Sequence, residues 1–80
     1  MKPFKRYTGL LGSTEPNQEV TEENIKLLPA GSVVRLEDGS RLIHLHDLLW
    51  LWCCDGAWCY DRIEHLIYKL KKGAVLCHHP

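Results

Sequence analysis

Residues 50–72 decide the fold, and they read WLWCCDGAWCYDRIEHLIYKLKK. This stretch contains all three tryptophans, three of the four cysteines and the clearest helical pattern in the chain. Asp55 followed by Gly56 is a strong signal for a two-residue hairpin turn. A strand over residues 48–54 then pairs with the residues after the turn, with Cys54 opposite Ala57, Cys53 opposite Trp58, Trp52 opposite Cys59 and Leu51 opposite Tyr60. A helix over residues 47–54, apolar on every side, stays open as the alternative.

The predicted hairpin sorts its side chains onto two faces, because successive side chains of a strand point to opposite sides. Trp50, Trp52, Cys54 and Cys59 line one face, and Leu51, Cys53, Trp58 and Tyr60 line the other. Trp58 stands beside the turn, and we expect it to be exposed.

Residues 61–72 form the clearest predicted helix. Asp61 is placed to cap its start, three basic residues occupy its last turn, and Gly73 ends it. Its apolar stripe consists of Ile63, Leu66, Ile67 and Leu70.

A second hairpin is predicted over residues 32–45, where Asp38 and Gly39 form the turn signal. A two-residue loop places Val34 opposite Ile43, so the expected core face carries Val34, Leu36, Ile43 and Leu45. His44 then points away from the core.

The first nineteen residues contain two prolines and two glycines, and we predict a flexible tail over residues 1–19. A single domain follows over residues 20–80, beginning with a short helix from Thr21 that ends before Pro29. The predicted fold is α+β: an antiparallel meander of three to four strands, packed by the C-terminal helix. Residues 74–77 are the candidate for a short last strand that closes the sheet. An SH3-like small barrel is the alternative architecture.

Composition narrows the function classes. The 80-residue chain has a formal net charge of zero, which argues against a general nucleic-acid coat protein. No secretory signal is visible, and the longest apolar run is far shorter than the roughly 20 residues that span a bilayer. We expect a cytoplasmic protein with no membrane partner and with reduced cysteines.

The cysteines support two interpretations. Zinc takes four thiolate or imidazole ligands, and the candidate set is Cys54, Cys59, Cys77 and His78 (or His79). The spacing is loose, with one pair at the end of the given sequence. Reduced cysteines also pack as small buried hydrophobic side chains, so no cofactor is the first expectation and zinc is the alternative.

The candidate partner-binding residues combine exposed aromatic side chains with a basic helix edge. Tryptophan and tyrosine are enriched among the residues that dominate protein interfaces. The predicted set is Trp58, Tyr60, Arg62, His65, Lys69 and Lys72. No glycine-rich phosphate loop, zinc-protease motif or nucleophile motif is present, so we do not expect an enzyme.

These observations lead to two hypotheses. The first is a small non-enzymatic regulator or inhibitor, of a size and style common in bacterial and phage genomes, that docks on another protein. The second is a nucleic-acid-binding domain, stabilised by zinc, that uses aromatic stacking and the basic edge. A second copy of the chain is a further expected partner, because an exposed strand edge is readily covered by another strand.

Overall fold

Six strands form one antiparallel sheet in the computed structural model, which describes residues 18–80. The strands are β1 (Gln18–Glu19), β2 (Val33–Leu36), β3 (Arg41–His46), β4 (Leu49–Cys54), β5 (Ala57–Arg62) and β6 (Ala74–His78). Their order in the sheet is β1-β6-β2-β3-β4-β5. The protein is therefore a small, predominantly β domain, and the prediction of three to four strands is too low.

β1 and β6 come from opposite ends of the described chain. The predicted last strand over residues 74–77 is confirmed as β6, whereas β1 was not predicted. β6 lies between β1 and β2, with Gln18 paired to Leu76 and Val34 also paired to Leu76 from the other side. The last two residues of the predicted tail thus belong to the sheet, while residues 1–17 lie outside the described residues. Within residues 18–80 the sheet ends at β1 and β5, so it is open and is not the closed barrel of the alternative prediction.

The β2–β3 hairpin differs from its predicted register by one residue. Val34 pairs with Leu42, not Ile43, because the loop has three residues, Glu37, Asp38 and Gly39. The Gly39 N–H donates to the Leu36 carbonyl at 3.0 Å, and Gly39 has φ +91°. This is a type I turn followed by a residue in the left-handed region, the usual three-residue hairpin.

A one-residue shift moves every side chain of a strand to the other face. Leu42 and His44 are therefore buried, whereas Ile43 is only partly buried and Leu45 is exposed. The predicted core positions Val34 and Leu36 on β2 are confirmed, and Ile43 and Leu45 on β3 are wrong.

The β4–β5 hairpin has the predicted register, and the strand interpretation of residues 48–54 is confirmed. Cys54 pairs with Ala57 and Leu51 with Tyr60. Asp55 at φ +46° and Gly56 at φ +81° form the turn, as a type I′ turn requires.

Helical structure begins two residues later than predicted. Asp61 pairs with Trp50 and Arg62 with Leu49, so both still belong to β5. A single α-helical turn, α1 (Ile63–Leu66), continues as a 3₁₀ segment (Ile67–Lys72) up to Gly73. The predicted apolar stripe is confirmed: Ile63, Leu66 and Leu70 are buried and Ile67 packs against them.

The predicted N-terminal helix is reduced to a 3₁₀ turn, Ile25–Leu27. Thr21 and Asn24 exchange hydrogen bonds: the Thr21 N–H donates to Asn24 Oδ1 at 2.7 Å, and the Asn24 N–H donates to Thr21 Oγ1 at 3.3 Å. Asn24 thus takes the role that glutamate has in a capping box. Leu28 is extended before Pro29 and ends the turn.

All the helical segments pack on one side of the sheet, which we call the inner face. The core there consists of Val20, Ile25, Leu28, Val34, Leu36, Leu42, Trp50, Ile63, Leu66, Leu70, Ala74 and Leu76. Among residues 18–80 no helix covers the opposite side, which we call the outer face.

Candidate functional site

Trp58 and Tyr60 stand side by side on the outer face of β5. Their rings stack with centroids 6.3 Å apart and an interplanar angle of 19°. Trp58 is 65% exposed and Tyr60 is 62% exposed, so the predicted exposure of Trp58 is confirmed. The two rings lie two residues apart on one strand, which is why they point to the same side.

The neighbourhood of these rings is partly apolar. Cys53 lies across the ladder from Trp58, and Leu51 lies across from Tyr60. A cleft of about 320 Å³ opens beside Trp58, lined also by Arg41, Cys53 and the turn residues up to Ala57. The cleft residue Arg41 was missed by the sequence prediction, because the two-residue loop predicted for β2–β3 placed it in the wrong register.

Arg62 continues the row of Trp58 and Tyr60 on the outer face. Its side chain is half exposed, and its guanidinium Nε contacts a carboxylate oxygen of Glu64. An exposed ion pair of this kind contributes little to stability. Arg62 therefore supplies a charged rim to the aromatic pair.

The lysines of the predicted basic edge lie on the other side of the sheet. The Lys69 ammonium sits 3.9 Å from the centroid of the Trp52 ring, and Trp52 belongs to the inner face. Lys69 and Lys72 line a second cleft of about 440 Å³, together with Tyr68 and Lys71 but also Glu37 and Asp38. The structure thus brings Trp58, Tyr60 and Arg62 together, and it separates them from Lys69 and Lys72.

His65 lies beside Asp61 at the junction between β5 and α1. Its Nδ1 is 2.8 Å from Asp61 Oδ1, the same oxygen that accepts the Arg62 N–H at 2.7 Å. The hydrogen bond from His65, followed by that from Arg62, lowers the pKa of the Asp61 carboxyl below its ordinary value. Asp61 thus links the histidine to the end of the strand.

The lowered pKa of Asp61 predicts a specific titration. Because the folded-state pKa lies below the unfolded value of about 3.8, the ionised form stabilises the fold; this contribution is complete above that value and disappears as pH falls through the folded pKa. We expect carboxyl NMR to give Asp61 a midpoint below 3.8, and His65→Ala to move it upwards.

Asp38 provides the control for this titration. Its pKa is also lowered, by hydrogen bonds from the Ser40 hydroxyl and N–H, and His65 is not among the causes. His65→Ala should leave the Asp38 midpoint in place. An Asp61 midpoint at or above 3.8, or equal shifts of both carboxyls, would contradict the hydrogen-bond assignment.

The four predicted zinc ligands do not meet. Cys54 and Cys59 lie on the neighbouring strands β4 and β5, but Cys77 and His78 lie on β6, with β2 and β3 in between. At about 4.8 Å per strand, β6 is some 14 Å from β4, whereas Zn–S and Zn–N bonds are only about 2.0–2.3 Å long. Within residues 18–80 no group of three histidine, cysteine or acidic side chains is placed to hold a metal ion.

The interpretation of the cysteines as buried side chains also needs correction. Cys59 and Cys77 are exposed, Cys53 and Cys54 are partly buried, and all four are free thiols. Cys59 is exposed because β5 has a strand on one side only. Burial therefore does not explain why this chain carries four cysteines.

No known protein family, curated protein or solved structure matches this chain. The fold and the candidate site therefore rest on the geometry described above. They define a small domain with an open antiparallel sheet, one face covered by short helical segments and the other bearing exposed aromatic side chains. Within residues 18–80 no helix has the length and apolar character needed to cross a bilayer.

Proposed function

We propose that the protein is a small non-enzymatic regulator or inhibitor that docks on another protein through its outer face. The observation that carries the proposal is the stacked pair Trp58 and Tyr60, both more than half exposed. Exposed large aromatic side chains with a polar rim are typical of the centre of a protein interface. Arg62 at one end and the cleft beside Trp58 at the other give the surface a charged rim and a concave part.

The docking proposal is tested by truncating the aromatic pair in a quantitative binding assay with a partner isolated on the immobilised chain. Removing a dominant interface side chain costs about 2 kcal/mol or more. We therefore expect Trp58→Ala to weaken binding roughly 30-fold or more. The matched control is Tyr68→Ala, which removes a ring that is 60% exposed on the 3₁₀ segment, away from the outer face.

Each outcome of this assay has a clear meaning. Loss of binding in Trp58→Ala, with binding retained in Tyr68→Ala, supports docking through the outer face. Equal binding by the two variants, with both folded, would rule out the aromatic pair as the docking centre.

The second candidate function is nucleic-acid binding through the cleft of Tyr68, Lys69, Lys71 and Lys72. Three lysines and an aromatic ring in one cleft favour it, because single strands bind to positive grooves with stacking platforms. Glu37 and Asp38 in the same cleft and the zero net charge weigh against it. In the assay above, captured material that disappears after nuclease treatment would favour this candidate.

A further inference from the structure

The backbone of β5 offers a second interaction surface, separate from its side chains. The type I′ turn makes Cys54 and Ala57 a hydrogen-bonded pair, and such pairs alternate along an antiparallel ladder. Every second pair from the turn is therefore hydrogen-bonded, and the same alternation reaches Ile63, whose N–H donates to the Leu48 carbonyl at 2.7 Å. The backbone groups of Trp58, Tyr60 and Arg62 therefore point away from β4.

This edge lacks the usual protection against strand pairing. Proteins shield sheet edges with proline, lysine, bulges or very short strands. β5 has six residues with neither proline nor lysine, its charged residues are confined to the last two positions, Asp61 and Arg62, and its pairing with β4 runs without a bulge. The opposite edge, β1, is only two residues long. Within the described residues, β5 is thus the edge that can accept another strand.

We propose that β5 pairs antiparallel with β5 of a second copy of this chain, around a two-fold axis at Cys59. In this register the outward backbone groups of Trp58 bond to those of Tyr60 in the second copy, and the reverse pair forms by symmetry. Opposite residues of an antiparallel pair share a face. The inner and outer faces of the two sheets therefore continue into each other.

The next register, centred on Tyr60, is disfavoured by a hydrogen bond already present. It would need the Arg62 N–H to bond to Trp58 of the second copy. That N–H donates to Asp61 Oδ1 at 2.7 Å within its own chain. A register centred on Trp58 would need Gly56 to form hydrogen bonds with Tyr60 of the second copy. Gly56 belongs to the Asp55–Gly56 turn, where φ is positive, whereas the register centred on Cys59 uses the extended residues Trp58 and Tyr60.

Charge also fits the register centred on Cys59. Arg62 comes opposite Gly56 of the second copy and next to its Asp55, and the symmetric pair repeats this contact. Each ring of Trp58 lies beside a ring of Tyr60 from the other chain, a cross-strand aromatic pair. The surface is thus complementary to itself, which favours a second copy over an unrelated strand.

The pairing goes beyond the proposed docking function and does not depend on it. It uses the backbone edge, so Trp58 and Tyr60 of both copies remain on the outer face. The dimer carries a two-by-two cluster of four aromatic rings in place of two. Dimerisation and docking can therefore fail independently.

The pairing is tested with full-length chains in reducing buffer by sedimentation equilibrium. Cys59→Lys places two like charges opposite each other at the axis, and we expect the dimer dissociation constant to rise roughly tenfold or more. Cys59→Ser is the matched control, because it keeps the small neutral side chain and should dimerise like the natural sequence. Both substitutions leave Trp58 and Tyr60 unchanged.

A crosslinking experiment checks the register. Residues at a non-hydrogen-bonded position lie about 4.5 Å apart at Cα, within the 4.4–6.8 Å range of a disulfide. We expect a chain with Cys59 alone to form a covalent dimer with diamide, which accepts the two electrons and two protons that the thiols lose. A chain with only Cys77, which is exposed on β6, should form no covalent dimer under the same conditions.

Three results would overturn the proposal. The first is a natural-sequence chain that stays monomeric at all accessible concentrations. The second is equal dimerisation of the lysine and serine variants. The third is a monomeric chain whose Trp58 and Tyr60 amides are protected from hydrogen exchange only by a bound partner protein, which would assign the edge to a strand of that partner.

Discussion

The Trp50→Ala variant is expected to lose about 3–5 kcal/mol of unfolding free energy, the usual cost of truncating a buried tryptophan. Trp50 is 2% exposed and is among the largest fully buried side chains. It packs within the same core as Leu42 and Ile63, so it joins the sheet to the helical side. A domain of this size has about 5–15 kcal/mol in total, so the variant should lose a large fraction of its stability and unfold at a much lower urea concentration.

Urea titration followed by far-UV circular dichroism measures this loss. Trp58→Ala is the matched control, since it removes the same ring from the exposed end of the same hairpin. We expect it to change stability by no more than about 0.5 kcal/mol, as for most surface substitutions. If the two alanine variants unfolded at the same urea concentration, the inner and outer faces would have been assigned incorrectly.

The second large effect is expected at His44, which is only 9% exposed. Its Nδ1 lies 2.9 Å from the Leu28 carbonyl oxygen and its Nε2 lies 2.6 Å from the Asp47 carbonyl oxygen. The ring also stacks on Trp50, with centroids 4.6 Å apart and planes 8° from parallel. A carbonyl oxygen only accepts, so the His44 ring is the donor in these contacts.

Replacing His44 with alanine removes these contacts and leaves two carbonyl acceptors without their partner. From the cost of unsatisfied groups and of lost aromatic stacking, we expect a loss of about 2–4 kcal/mol. His44→Phe should recover the stacking part only. We expect this loss of stability because the two contacts of His44 connect β3 to the segment before β2 and to the β3–β4 turn.

His46 is the control for this prediction. It lies two residues further along β3, its side chain is 71% exposed, and its nearest charged partner is Asp47 at 3.6 Å. His46→Ala should shift the urea midpoint little. If His44→Ala shifted the urea midpoint as little as His46→Ala does, the two carbonyl contacts would contribute nothing to stability.

Local signals predicted the turn of the β4–β5 hairpin and the four pairs nearest to it. Asp55 and Gly56 both adopt positive φ, which fixes a two-residue loop and with it every pair of the ladder. The exposure of Trp58 followed from that register. The apolar stripe of the last helical segment was equally local, and it was confirmed although half of that segment is 3₁₀.

The other hairpin shows the limit of the same reasoning. Asp38 and Gly39 suit both a two-residue and a three-residue loop, and here Asp38 accepts hydrogen bonds from Ser40 while only Gly39 has positive φ. That difference moves His44 from the surface to the core. β1 escaped prediction for another reason: its pairing with β6 joins residues more than fifty positions apart, which no local pattern encodes.

The candidate site was predicted only in part, because local patterns do not encode which elements meet in the fold. Trp58 and Tyr60 were predicted on one strand, so alternation alone placed them together. Arg62 was predicted on the helix, and it joins them because β5 extends two residues further than predicted. Grouping them with Lys69 and Lys72 required knowing which side of the sheet the helical segment covers. Whether zinc could join Cys54 to Cys77 required the strand order, and β2 and β3 separate them.

The pairing of Gln18 with Leu76 has a consequence for how this domain can be joined to other polypeptides. Residue 18 and the end of β6 lie side by side at one corner of the sheet, five and four strand spacings from β5, or about 24 and 19 Å. Sequence attached at either side therefore leaves from nearly the same point. The domain therefore has the geometry of a module that can be inserted into a loop of a host chain, because the two ends of the interrupted host loop stay close together. In such an insertion β5 faces away from the host.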